Sequence, residues 1–206
     1  MKCYLVGLCA LILSGCVTTE SLKATYDNPG WPGYISKSQS EFDGRKDVSI
    51  EPGYLDDGSS YLLLGARWNN KMKEGRLILV AEWNEPINFE PATSLDFNID
   101  GKFISLLPVD KHDYGIKDMK SLTTQSILGP ISTPLHYTTK KSYWITRDQL
   151  DELIQAKKSI VRVQFLDSYS EQRIEPSDPN NSSYLKYPYV WAKPGLEKFL
   201  KEIPTS

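Results

Sequence analysis

The sequence predicts a single α+β domain, mostly antiparallel β-sheet or β-sandwich, with one or two helices packed on it. Three observations lead there. Residues 76–83 carry Leu77, Ile78, Leu79 and Val80 in succession. A run apolar at both parities belongs inside a sheet or between two layers. Residues 95–107 alternate around Asp100-Gly101, a favoured two-residue hairpin turn because both positions need positive φ. Residues 146–158 open with Thr146 and Gln149, the spacing of a capping box, ahead of an apolar stripe of Leu150, Leu153 and Ile154.

Taken in order, the folded body reads as short strands punctuated by turns from Phe42 onward. Val48 and Ile50 alternate before Pro52-Gly53, and Asp56-Asp57-Gly58-Ser59 marks a turn. Residues 61–68 form a strand and 69–75 a polar connection. A two-residue loop at Asp100-Gly101 pairs Ile99 with Lys102, Phe97 with Ile104 and Leu95 with Leu106. Asp96, Asn98, Phe103 and Ser105 then share the other face. A slip of one residue would mix the two faces, so the register is well specified. Residues 108–135 read as loop and 136–145 as a strand.

The helix that follows carries Asp148, Asp151 and Glu152 in its first turns and Lys157 and Lys158 at its end, matching its dipole. Residues 160–166 form a strand with Val161, Val163 and Phe165 on one face. Residues 167–183 are polar and turn-rich. Tyr187, Tyr189 and Trp191 then share one face of an edge-like strand, since Pro188 cannot donate to a ladder. Pro194 opens a last helix through about residue 203. Leu196, Phe199, Leu200 and Ile203 are its buried stripe, and Pro204 stops it. There is no internal repeat and no low-complexity tract.

The N-terminus is organised differently. Met1 and Lys2 precede an apolar run from residue 3 to 13, then Leu13-Ser14-Gly15-Cys16, then a polar stretch. Charge order, length and small-residue boundary are those of a secretory signal peptide. The apolar run is too short for a transmembrane helix, which needs roughly 20 residues. The boundary resembles the lipobox of bacterial lipoproteins: an aliphatic residue, two small residues, then cysteine. That resemblance implies recognition of Leu13, Ser14 and Gly15 by the lipoprotein signal peptidase, cleavage before Cys16, and acylation of Cys16 on sulfur and on its new amine. It implies membrane attachment through lipid. Val17 stands where an Asp would act as an inner-membrane retention signal. The expected address is therefore the outer membrane, facing the periplasm, or the cell surface if the source is Gram-positive. The expected organisation is signal peptide 1–15, lipidated N-terminus and tether 16–40, and globular domain 41–206. Trp31 and Tyr34 are expected to pack back on the domain and shorten the tether.

Composition narrows the function classes. The formal net charge of −2 argues against nucleic acid, whose binding rests on Lys and Arg neutralising phosphates. Cys3, Cys9 and Cys16 are the three cysteines, so the folded body has no thiol. It carries no disulfide, no Cys-bound metal and no cysteine nucleophile.

Individual motifs point to chemistry only weakly. Asp96-x-Asn98-x-Asp100-Gly101 opens like a calcium loop, but the twelfth position is Leu107 where a bidentate Glu is needed. His112 and His136 lack metal-ligand spacing. No Gly-x-Ser-x-Gly elbow is present. Glu82 and Glu85 flank Trp83, and Glu82 falls in a largely apolar strand, with Arg67 as a candidate partner. Tyr184, Tyr187, Tyr189 and Trp191 form an aromatic group that could stack on sugar rings, bind a protein, or cover the core.

The expected function is a lipid-anchored, non-catalytic binding or assembly module of the cell envelope, with an envelope protein partner and no cofactor beyond the covalent lipid on Cys16. The alternatives are a glycan or peptidoglycan binder using Tyr184, Tyr187, Tyr189 and Trp191, and a carboxylate-based hydrolase.

Overall fold

A computed structural model describes residues 28–55, 61–93, 95–121, 123–126, 129–132, 136–175, 180 and 188–204. Its strands, in chain order, are β1 (Ile35–Gln39), β2 (Lys46–Tyr54), β3 (Leu62–Asn69), β4 (Arg76–Trp83), β5 (Leu95–Ile99), β6 (Lys102–Leu106), β7 (Ile116–Lys120), β8 (Thr123–Ser126), β9 (Gly129–Ser132), β10 (His136–Thr146), β11 (Ser159–Gln164) and β12 (Tyr169–Arg173). Helices α1 (Arg147–Gln155) and α2 (Ala192–Glu202) complete the α+β fold, with a 3₁₀ turn at Pro188–Val190. One sheet runs β1-β2-β3-β4-β10-β7, a second β12-β11-β5-β6, and β8 pairs with β9. All these pairings are antiparallel.

Alternation sets the layers. Leu77, Leu79, Ala81 and Trp83 of β4 face the main core with Tyr143 and Ile145 of β10. The four-stranded sheet meets them with Leu95, Phe97, Ile99, Ile104, Val161 and Val163. Helix α2 covers β2 and β3 on the same side and packs against α1, adding Leu196, Phe199 and Leu200 to Leu150 and Leu153.

The other face of the six-stranded sheet is concave. Lys120 on β7 lies 3.9 Å from Glu51 on β2, although β3, β4 and β10 stand between those strands. In a flat sheet four strand spacings would separate them by about 19 Å, beyond the reach of two side chains. The sheet is therefore curled into a half-barrel.

Local expectations hold where the sequence carries strong patterns. The β5–β6 register pairs Leu95 with Leu106, Phe97 with Ile104 and Ile99 with Lys102. Asp100 has φ 50 and Gly101 φ 92, as the turn requires. Thr146 caps α1, accepting from Gln149 N–H while the Gln149 side chain accepts from Thr146 N–H. Lys157 and Lys158 lie past the helix end. Their backbone N–H groups donate to the Asp100 carboxylate at 3.0 and 2.8 Å, which clamps the hairpin to α1. Those two bonds hold the Asp100 carboxyl below its usual range.

Five expectations are corrected. Residues 35–39 are strand β1 rather than tether; the chain leading into it is stitched by Gly33 N–H to Glu51 O and Glu51 N–H to Tyr34 O at 3.0 and 2.9 Å. The supposed loop 108–135 contains β7, β8 and β9, and the polar stretch after residue 166 contains β12. These strands carry no apolar stripe: β7 and β12 are sheet edges and mostly exposed. Residues 188–190 are not an edge strand but a 3₁₀ turn, and Trp191 after it caps α2, which begins before Pro194.

That turn depends on Gly53. A Cβ there would lie 2.9 Å from both Trp191 C and Val190 O, too close for backbone atoms that cannot swing aside. Gly53→Ala should destabilise the fold by about 2 kcal/mol through overpacking. Urea unfolding should show a lower midpoint at unchanged slope.

Candidate functional site

The concave face gathers the charges. On β4, Ile78, Val80 and Glu82 have the parity opposite to Leu79 and Ala81, so Glu82 points into the half-barrel. Lys140 of β10 is directly opposite Glu82, and β7 adds Lys120, opposite His136. Lys120 Nζ is 2.7 Å from Glu82 Oε1 and Lys140 Nζ 3.4 Å from its Oε2. Glu82 is only 1% exposed. Such burial is tolerable for a carboxylate only with paired cations and hydrogen bonds. Glu51 reaches Lys120 from the far wall. Thr138, on the same face of β10, has a buried hydroxyl with no hydrogen-bond partner.

Beside this cluster runs an open groove of about 310 Å³. Ile78 and Val80 line its floor; Ser49, Glu51 and Arg67 line its wall. Arg67 is not the partner of Glu82. Leu63 is the β3 residue opposite Glu82, whereas Arg67 pairs with Ile78 further along.

The chemistry open to this cluster follows from its geometry. Glu51 and Glu82 lie 3.9 and 2.7 Å from one ammonium, and two neighbouring acids are what a carboxylate-based hydrolase needs. Lys120, however, occupies the gap where substrate or water would sit.

Two further buried groups are architectural. Lys141, the neighbour of Lys140 in sequence, faces the core, donating to Glu90 O and Pro91 O at 2.6 and 2.7 Å. Burial pushes its ammonium below the usual lysine range and pushes the adjacent Tyr143 phenol up. Ser159 at the start of β11 donates through its hydroxyl to Glu175, which also receives Lys193 Nζ at 2.9 Å. Lys193 donates to Ala156 O at 2.6 Å as well, tying β11 to both helices.

The residues singled out from sequence fare unequally. Leu13, Ser14, Gly15, Cys16, Tyr184 and Tyr187, and the side chain of Tyr189, lie outside the described residues. Trp191 is no exposed binding aromatic. It is 6% exposed, bridges to Tyr54 and meets the Tyr54 ring edge-on at 6.4 Å. It is core because it starts α2 at the Gly53 contact. His112 lies in an exposed turn closed by its N–H to Asp110. Among the described residues no group of three His, Cys, Asp or Glu could hold a metal. Sequence reasoning missed Lys120 and Lys140. The signal for Lys140 was there: Lys140-Lys141 inside a strand forces one lysine inward.

Removing the charge of Glu82 should take the acid from Lys140 and leave Lys120 only the more distant Glu51. Glu82→Gln is expected to cost about 2 kcal/mol, and Glu82→Gln combined with Lys120→Met less than the sum of the single losses, measured by a denaturation cycle. For Lys141 the sign is fixed by its lowered pKa. The unfolded chain holds the proton up to a higher pH than the folded one, so folding releases it and stability rises with pH through that window. Wild-type stability relative to Lys141→Met should therefore climb as pH rises toward 10.5, whatever the absolute offset between them. A flat difference would contradict the burial argument.

Comparison with protein-family models, curated proteins and solved structures returned no match for this chain.

Proposed function

We propose that this protein is a lipid-anchored envelope lipoprotein whose β-rich body is a non-catalytic binding or assembly module with a protein partner. The observation that carries the reading is Leu13-Ser14-Gly15-Cys16 behind a short basic and apolar leader, in a chain with no cysteine after position 16. The lipid on Cys16 holds it to the outer membrane facing the periplasm, or to the cell surface of a Gram-positive cell. Three acyl chains give durable attachment, since each buried methylene contributes about 0.8 kcal/mol.

Binding rather than catalysis is supported by how the interior charges are used. Glu82 is matched by Lys120 and Lys140, Lys141 by carbonyls, and Glu175 by Ser159 and Lys193. Each answers a burial problem, and the groove of the half-barrel offers shape and a mixed lining. The hydrolase alternative needs free space between Glu51 and Glu82, which Lys120 fills. The glycan alternative built on the aromatic group loses Trp191 to the core.

Expressed in a bacterial host, the protein should sediment with membranes and carry the mass of three acyl chains. Cys16→Ser should move it to the soluble fraction and remove that mass. Unchanged partition and mass in the variant would end the anchored reading.

A further inference from the structure

The four-stranded sheet turns its apolar residues inward and leaves a polar, patterned outer face. Register places Glu171, Arg162, Asp96 and Ser105 in one row across β12, β11, β5 and β6. Ile160, Asn98 and Phe103 form the next row. These two rows line an open cleft of about 340 Å³, within the small-molecule range. The three strand spacings it crosses amount to roughly 14 Å.

Three properties of the cleft define its ligand. First, its ions answer one another. Arg162 Nε donates to Glu171 at 2.7 Å, its guanidinium lies 5.1 Å from the Tyr169 ring, and Asp96 acts on it from the adjacent strand. Asp96, Arg162 and Glu171 together sum to −1, so the cleft does not favour an anionic ligand. Second, the polar groups are held in place and of both kinds. Asn98 Oδ1 accepts from Gly101 N–H at 3.0 Å, which fixes its NH₂ as the donor end beside a carboxylate, a hydroxyl and a guanidinium. Third, Phe103 is 79% exposed at the margin, with a ring face able to take an apolar partner. An uncharged molecule with many hydroxyls and an apolar C–H face meets all three conditions.

We propose that the outer face of the β12-β11-β5-β6 sheet is a saccharide-binding site, with Phe103 as the stacking ring and Asp96, Asn98 and Arg162 as the hydroxyl-recognising groups. This goes beyond the anchoring reading and stands or falls separately from it, because its test does not depend on Cys16.

The test is titration of the full chain in detergent with oligomers of N-acetylglucosamine and, in parallel, of glucose, followed by amide NMR and calorimetry. A saturable response confined to β5, β6, β11 and β12 is expected from at least one series. Phe103→Ala and Asp96→Asn should each weaken it at least tenfold while melting stays unchanged. Should one variant fail to fold, the other carries the comparison. Absence of saturable binding to either series would overturn the proposal. So would binding that both variants leave intact, or a response centred on the half-barrel groove.

Discussion

A strand that is apolar at both parities must be covered on both sides, and β4 imposes that requirement on everything around it. Leu77, Leu79, Ala81 and Trp83 are covered by the second sheet and the helices. Val80, at 2% exposure on the opposite face, has no third layer to rest on among the described elements. The curl of the six-stranded sheet meets the need, drawing the walls β2 and β7 toward each other over β4. The half-barrel is thus a consequence of burying one strand twice, and the groove within it follows from the curl.

Curling also creates an electrostatic problem that its edge residues solve. Glu82 is buried on the concave face, and moving a lone carboxylate there would cost several kcal/mol. Lys120 and Lys140 answer it while keeping 17% and 18% exposure, so their stems cover apolar wall and their heads stay near water. Lys141 has no such route. One residue along the strand, it points into the core and relies on two loop carbonyls instead. Adjacent lysines on one strand therefore meet two dielectrics: Lys140 pairs with Glu82 on the neighbouring strand, and Lys141 pins the distant 90–91 turn.

What was legible in the sequence follows the strength of its patterning. The β5–β6 hairpin was readable down to its pairs because one turn type and one apolar face both specify the register. Helix α1 was readable because its cap is local in sequence. Strands β1, β7 and β12 were not, since Ser36, Lys37, Lys117, Asp118, Glu171 and Arg173 bury nothing and derive their conformation from a neighbouring ladder. Trp191 shows the converse failure. Its neighbourhood resembles an alternating strand, but Gly53, more than a hundred residues earlier, supplies the gap that turns the segment into a helix start. The candidate site was half legible: Glu82 was conspicuous as an acid in an apolar run, while its lysines come from strands whose register only the fold defines.

The polarity that hid those edge strands has a physical rationale. An open edge presents unpaired N–H and C=O groups to any other chain, and charged edge residues are a common defence. Anchoring by lipid, as proposed here, would hold copies of the chain in a thin layer and raise their effective concentration far above that of a free protein. A body without disulfides could not rely on covalent links to resist edge-to-edge pairing under that crowding. Lys37 on β1, Lys117 and Asp118 on β7, Glu171 and Arg173 on β12 and Lys102 on β6 place charge on the outermost strands of both main sheets. The residues that contribute least to the core are then the ones that keep neighbouring copies apart, which leaves the broad faces of the sheets, rather than their edges, as the surfaces fit for a specific ligand.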